Sequence, residues 1–347
     1  TKLFGEDEAK KLSPWNKLSL REAVIMNREH QVYEMVGIST LDYIELYKKF
    51  TYSQQESYRL DHIAHVEVGE KKLDYSEFES LHQLYKQDYQ KFIEYNIKDV
   101  ELVEKLEDKM KLIELALTLA YDNKVNYDDV FAQVRMWDAI VYNYLKKKNI
   151  VIPQMKRGSK NSQYEGAYVK DPINGMHQWV VSFDLNSLYP HLIMQYNISM
   201  ETLIDPKKYN DNMRGLISNG NIKVETLLNQ EVDTNILKDL GVTLTPNGQL
   251  FRINEQGVMP EIMDNMYKDR TRYKKLALEA KKKIETVLDD KNQVNYLEKQ
   301  VARYNNLQLA KKVTLNSAYG AMGNQYFRFF DIRVAEAITT AGQLSIR

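Results

Sequence analysis

Two long helical patterns set back to back constrain this chain most. Pro260 and Glu261 open the first, which runs to about Leu288; D-D-K-N-Q turns the chain, and the second runs from about Val294 to Ala321. Patterns of that length joined by so short a polar turn fold as an antiparallel helical hairpin. A coiled-coil arm is the rival form. Against it, Leu276, Leu278, Ile284, Val287 and Leu288 do not hold a sustained heptad.

Both helices carry residues that a plain arm does not need. In Y-K-D-R-T-R-Y-K-K-L-A-L-E-A-K-K-K, from Tyr267 to Lys283, Arg270 and Lys274 stand four apart on one face, with Lys275 competing for the place of Lys274. A basic run of this kind is usually a solvated face. In K-K-V-T-L-N-S-A-Y-G-A-M-G-N, Lys312, Asn316 and Tyr319 occupy i, i+4 and i+7 of one stripe, and Gly320 beside them leaves a gap. A cation, an amide, an aromatic ring and a gap suit phosphate, base and sugar better than a protein core.

Upstream, W-V-V-S-F-D-L-N-S-L-Y-P-H-L-I-M-Q-Y-N runs from Trp179 to Asn197. Trp179, Val180, Val181 and Phe183 predict a buried strand that delivers Asp184 to its end. Asn186 and Ser187 then present backbone N–H groups, and Tyr189-Pro190 opens a helix. A carboxylate beside free amides suits a divalent metal and a phosphate chain. The same residues also read as an Asp capping a helix whose first turn holds Pro190.

Together these segments resemble the family B (polymerase-alpha-like) DNA polymerases, most nearly their T-even-type bacteriophage members. D-L-N-S-L-Y-P resembles the family's first palm motif, and K-K-V-T-L-N-S-A-Y-G its fingers motif. The resemblance continues through N-I-S-M-E-T-L and F-R-F-F-D-I-R-V-A-E-A-I-T-T. It implies a mixed α/β (α+β) architecture. Residues 1–111 would be the C-terminal part of an RNase H-like 3′–5′ exonuclease domain, and 112–154 a helical part of the amino-terminal domain. Residues 155–259 would be palm with an antiparallel sheet, 260–323 the fingers hairpin, and 324–347 resumed palm.

The activity the resemblance implies is template-directed nucleotidyl transfer from deoxynucleoside triphosphates to a primer 3′-hydroxyl with two Mg²⁺ ions, Mn²⁺ being an alternative. Asp184 would ligate metal together with the Leu185 carbonyl. Backbone around Ser187 and Leu188 would hold phosphates, and Tyr189 would exclude a 2′-hydroxyl. Arg270, Lys274, Lys312 and Asn316 would grip the triphosphate, with Tyr319 and Gly320 against the nascent base pair. Tyr164 and Gly166, in Y-E-G-A-Y-V, resemble a template-binding linker motif; a β-turn glycine is the alternative.

Nearer the start, Y-N-I-K-D-V-E-L-V-E-K-L reads as a helix with Ile97, Val100, Val103 and Leu106 apolar and with Tyr95 and Asp99 on one face. By resemblance these are the third exonuclease motif, with Asp99 a metal ligand and Tyr95 positioning the attacking water. An alternating stretch from Val24 to Val36, broken by Asn27-Arg28-Glu29-His30, predicts a β-hairpin. Trp137, Ile140, Tyr144 and Leu145 predict a helical core stripe.

Composition limits the partners. Lysine plus arginine equals aspartate plus glutamate at 48 each, so no global field attracts nucleic acid and the basic charge is local. The absence of cysteine excludes disulfides and thiolate metal sites. Leu112 to Tyr121, the most apolar helical stretch, is too short to span a bilayer. The partners expected are primer–template DNA, deoxynucleoside triphosphates and, through regions outside this chain, a sliding clamp and other replisome proteins, with no membrane. The expected place is the cytoplasm, of the host if phage-encoded.

Between Gly323 and Arg347 the carboxylates are Asp331 and Glu336, without the Asp-x-Asp hairpin of the family's second palm motif. The first exonuclease motifs and the thumb are missing too, and the chain starts at Thr1. An interior polymerase fragment, inactive alone, is therefore expected. The alternative is a non-catalytic nucleotide- or nucleic-acid-binding module that keeps the fold.

Overall fold

The computed structural model describes residues 5–25, 28–51, 53–155, 164, 166–288 and 290–347. They form two compact units, the first running to Ile113 and including Asn126–Asp128, the second made of the rest.

The first unit begins with α1 (Gly5–Lys10) and a hairpin of β1 (Leu18–Ile25) and β2 (Arg28–Met35). The strands pair antiparallel from Leu18↔Met35 to Ile25↔Arg28. The expected hairpin is present but longer: Arg28, Glu29 and His30 belong to β2 rather than to the turn, and Met26 and Asn27 lie outside the described residues. Arg21 meets Glu34 at 3.1 Å across it. Then come α2 (Tyr43–Phe50), α3 (Leu60–Val68), α4 (Leu81–Gln87) and α5 (Tyr89–Met110). Asp42, Ser80 and Asp88 cap α2, α4 and α5 by accepting first-turn N–H bonds, which satisfies donors with no helical partner.

One expectation for α5 fails. Its buried residues are Tyr95, Leu102 and Leu106, whereas Ile97 and Val100 are exposed. Of the expected apolar stripe Leu106 is buried and Val103 half-buried.

The second unit holds α6 (Leu112–Asn123) from Glu114 onward, α7 (Gln133–Lys147), α8 (Leu188–Gln195), α9 (Asp211–Gly220), α10 (Val224–Leu228) and α11 (Ile236–Leu240). After them come β3 (Val242–Leu244), β4 (Leu250–Arg252), α12 (Val258–Thr286), α13 (Lys291–Met322) and α14 (Ile332–Ile346). The long hairpin is α12–α13, each end within a few residues of expectation. Ala277 and Ala280 are buried in α12; such small side chains let two helix backbones approach. Asp290 caps α13 by accepting from Asn292 and Gln293 N–H. The expected mixed α+β class is therefore observed, with small antiparallel sheets β1–β2 and β3–β4.

One core gathers α7, α8, the start of α12, the end of α13 and α14 around Trp137, Ile193, Met263, Leu315 and Ile338. Trp137, Ile140 and Leu145 are buried as predicted, with Tyr144 packed against them. Fully burying side chains of this size is worth about 1.5–3 kcal/mol each. Trp137 also gives its indole N–H to Ser317 Oγ at 3.0 Å, fixing α7 to α13. A second cluster of Tyr209, Met213, Leu216, Val242, Leu244 and Leu250 packs α9 against the β3–β4 pair.

The buried strand expected at Trp179–Phe183 is absent. That segment is irregular, Trp179 is 95% exposed and Phe183 91%. A strand needs a neighbouring backbone to pair with, and among the described residues none lies alongside. No helix among them is long and apolar enough to cross a membrane.

Candidate functional site

The hairpin meets the turn before α8 in the second unit. Ser187 stands at the N-cap of α8 with φ 54° and ψ 45°, a left-handed conformation rare for serine. Three contacts hold it there. Its carbonyl accepts the His191 backbone N–H at 3.1 Å and the His191 Nδ1–H at 2.9 Å. Its hydroxyl accepts from Arg270 at 3.3 Å. His191 is in turn edge-on to Tyr267 of α12, with centroids 4.8 Å apart. Asp184 lies before this turn, exposed and not capping the helix, so the capping alternative is not what forms.

On the other side of α8 three tyrosines converge. The Tyr189 and Tyr319 rings lie 4.9 Å apart at 43°. The Tyr164 and Tyr319 hydroxyls share a hydrogen bond of 3.1 Å. Burial, then the Tyr164 hydroxyl, pushes the Tyr319 phenol well above its ordinary range, and burial likewise raises Tyr189, so both are neutral at pH 7. Gln343 of α14 donates to the Gly166 carbonyl at 2.8 Å. Residues separated by as much as 177 positions are thereby joined.

The stripe on α13 forms as spaced. Lys312 and Tyr319 are half-buried, and Asn316 and Gly320 are exposed. The gap at Gly320 is narrower than expected, because a Cβ there would stand 2.6 Å from the Gln133 carboxamide oxygen. The two adjacent lysines divide: Lys311 is buried, 2.9 Å from Asp122 and 3.8 Å from Asp269, and ties α13 to α6 and α12. Lys274 is exposed, and Lys275 reaches Glu279 at 3.9 Å. The structure thus brings Ser187, Tyr189, Arg270, Tyr319, Tyr164 and Gly166 into contact with one another or with α14. Asp184, Leu185, Lys274 and Asn316 share no side-chain hydrogen bond with that set among the described residues. Among the described residues, no group of three or more His, Asp or Glu side chains is placed to hold a metal ion.

In the first unit Tyr95 and Asp99 do share a face, and a residue the sequence did not single out joins them. Lys72 Nζ donates to Tyr95 Oη at 2.9 Å and to Asp99 Oδ2 at 2.7 Å. Its own backbone N–H is held by Asp61 at 2.8 Å. Burial lowers the Lys72 pKa, but the Asp99 and Tyr95 hydrogen bonds outweigh it and the net shift is upward. Asp99 Oδ1 is buried with no hydrogen-bond partner. Lys72 is one ordinary lysine among many, 23 and 27 residues from its partners, and no spacing rule would have found it.

Comparison with known proteins gives a consistent result. The family model for DNA polymerase family B matches residues 131–347. The chain is 33% identical to the DNA-directed DNA polymerase of Escherichia phage RB69 and 30% identical to that of Enterobacteria phage T4, each match covering 99% of this chain. It is 28% identical to the DNA polymerase of Paramecium bursaria Chlorella virus NY2A over 90% of its length. The chain spans 40% of the length of each of the two phage relatives. Its fold is similar to a family B DNA polymerase from the archaeon Pyrobaculum calidifontis, with a TM-score of 0.63, 18% identity, and coverage of 96% of this chain and 38% of that one.

Proposed function

The chain belongs to DNA polymerase family B, and on that premise we propose that it supplies the nucleotide-gripping part of a DNA-directed DNA polymerase. Residues 155–259 and 324–347 act as palm and 260–323 as fingers. Residues 1–111 act as part of a 3′–5′ exonuclease and 112–154 as part of the amino-terminal domain. The observation that carries this reading is the Arg270–Ser187 hydrogen bond, which sets a guanidinium of α12 beside a turn with left-handed backbone.

The groups present suit a triphosphate. Backbone N–H groups at Ser187 and Leu188, at the start of α8, face the charge that a helix N-terminus favours. Arg270 offers a bidentate fork to phosphate, while Lys274 and Lys312 act as point charges, with Asn316 adding an amide. Tyr189 lies under the sugar and rejects a 2′-hydroxyl by contact. Tyr319 and Gly320 meet the nascent base pair, and Tyr164 with Gly166 meets the template.

Asp184 and the Leu185 carbonyl are hard oxygen donors of the type Mg²⁺ takes, but they are two of the roughly six oxygens each ion needs. Mg²⁺, when bound, would lower the pKa of the primer hydroxyl and neutralise charge on the leaving pyrophosphate. The donor set is incomplete among the described residues, so the chain by itself does not extend a primer. In the exonuclease part Lys72 donates to both the Asp99 carboxylate and the Tyr95 hydroxyl.

That no group of carboxylates is placed around Asp184 to hold a metal among the described residues also favours a second reading, a nucleotide-binding module without catalysis. Two measurements test the shared site and the donor argument. Arg270→Ala should weaken binding of a deoxynucleoside triphosphate by about tenfold, the loss of one charge-assisted contact. Unchanged binding would sink the site assignment. Robust primer extension by this chain alone would refute the incomplete-donor argument.

A further inference from the structure

Gly342 lies in the interior of α14 and is buried. A glycine in a helix interior is less favourable than alanine, so the position needs a reason. The reason lies on α8. A Cβ built at Gly342 would stand 2.9 Å from Tyr189 Cε1 and 3.7 Å from Cδ1, with Leu192 Cδ1 at 3.9 Å. Carbon atoms prefer about 3.5–4.0 Å, so the ring would have to move by roughly 0.6 Å or more. It has little freedom to do so sideways, because Tyr319 bounds it at 4.9 Å and Tyr164 holds the Tyr319 hydroxyl.

We propose that Gly342 is the seat of the Tyr189 ring and thereby sets the room left for the sugar of the incoming nucleotide. The bare backbone of α14 lets the ring sink against the helix. A methyl group at that position lifts it toward the sugar. Gly342 touches no substrate; it is a positioning residue acting through Tyr189. The kinetic part of this proposal rests on the reading of Tyr189 as the residue that rejects a 2′-hydroxyl.

The test compares Gly342→Ala, Tyr189→Ala and the double variant in the purified polymerase that carries this chain, with dNTPs and rNTPs as probes. Gly342→Ala should raise KM for dNTPs about fivefold or more, with kcat changed by no more than about twofold and rNTPs still rejected. In the Tyr189→Ala background the same substitution should leave KM within about twofold. An equal KM change in both backgrounds, or none when Tyr189 is present, overturns the proposal. Melting gives a readout independent of activity. Gly342→Ala should lower Tm when Tyr189 is present and raise it with Tyr189→Ala, where the helix preference for alanine acts unopposed. The same sign in both backgrounds also overturns the seat. If Tyr189→Ala leaves ribose rejection intact, the sugar-contact reading fails, and the melting pair alone decides whether the ring is seated on Gly342.

Discussion

Replacing Lys72 with methionine removes one cation and leaves the Asp99 carboxylate facing Tyr95. The magnitude follows from the geometry. Lys72 makes two hydrogen bonds, of 2.7 Å and 2.9 Å, with the side chains of the ion pair only 26% and 27% exposed. An exposed ion pair is worth about 0–1 kcal/mol, whereas breaking a buried one costs about 3–5 kcal/mol. With the pair about a quarter exposed, and Asp99 Oδ1 already unpartnered, a loss of about 2 kcal/mol is expected. In a unit of this size that lowers Tm by roughly 8 °C or more.

The effect has a definite pH dependence. The pKa of Lys72 is raised above its ordinary 10.5, so its contribution is complete below that value and disappears as pH rises through the folded-state pKa. Thermal unfolding of the wild type and Lys72→Met at pH 7, with hydrogen exchange of the α5 amides as a local probe, measures the loss. The double variant Lys72→Met, Asp99→Asn should recover most of it, because no charge is then left uncompensated. A Lys72→Met protein that melts within about 1 °C of wild type, or a double variant no better than the single, would show that the bridge does not hold the first unit together.

Other outcomes follow from the same structure. Trp137→Phe removes the indole donor to Ser317 and leaves a cavity where the larger ring stood; urea unfolding of the second unit should show a loss of about 2 kcal/mol or more, and no loss would mean that neither the bond nor the packing of that ring holds α7 to α13. Hydrogen bonds from Lys105 and then Lys98 depress the Glu70 carboxyl to about 2. Its contribution is therefore present above about 4.5 and lost as pH falls toward 2. Glu70→Gln should flatten the stability of the first unit across that window, and an unchanged acid profile would remove Glu70 as its source.

The helical hairpin was legible because its signal is local. The two helical patterns and the D-D-K-N-Q turn between them are consecutive in the chain, and α12 and α13 end within a few residues of the predicted bounds. The stripe of Lys312, Asn316 and Tyr319 was legible for the same reason, since helix geometry alone places i, i+4 and i+7 together. Trp179–Phe183 shows where this fails. Its composition asks for a strand, but strands are stabilised by partners remote in sequence, and the described residues provide none beside it. On α5 the apolar pattern misled because Ile97 and Val100 are exposed while Tyr95 is buried.

What the sequence determined by itself was the family and the long helices, because each is written in consecutive residues or in one helical period. The tertiary structure alone decided which side chains meet. It set Arg270 on Ser187, split Lys311 from Lys312, put Lys72 on Asp99 and laid Tyr189 against Gly342. Those contacts join residues far apart in the chain, from 27 positions for Lys72 and Asp99 to 189 (311 less 122) for Lys311 and Asp122. Such distances leave no periodic trace along the chain, since the free energy that fixes them comes from packing whole helices together within each unit.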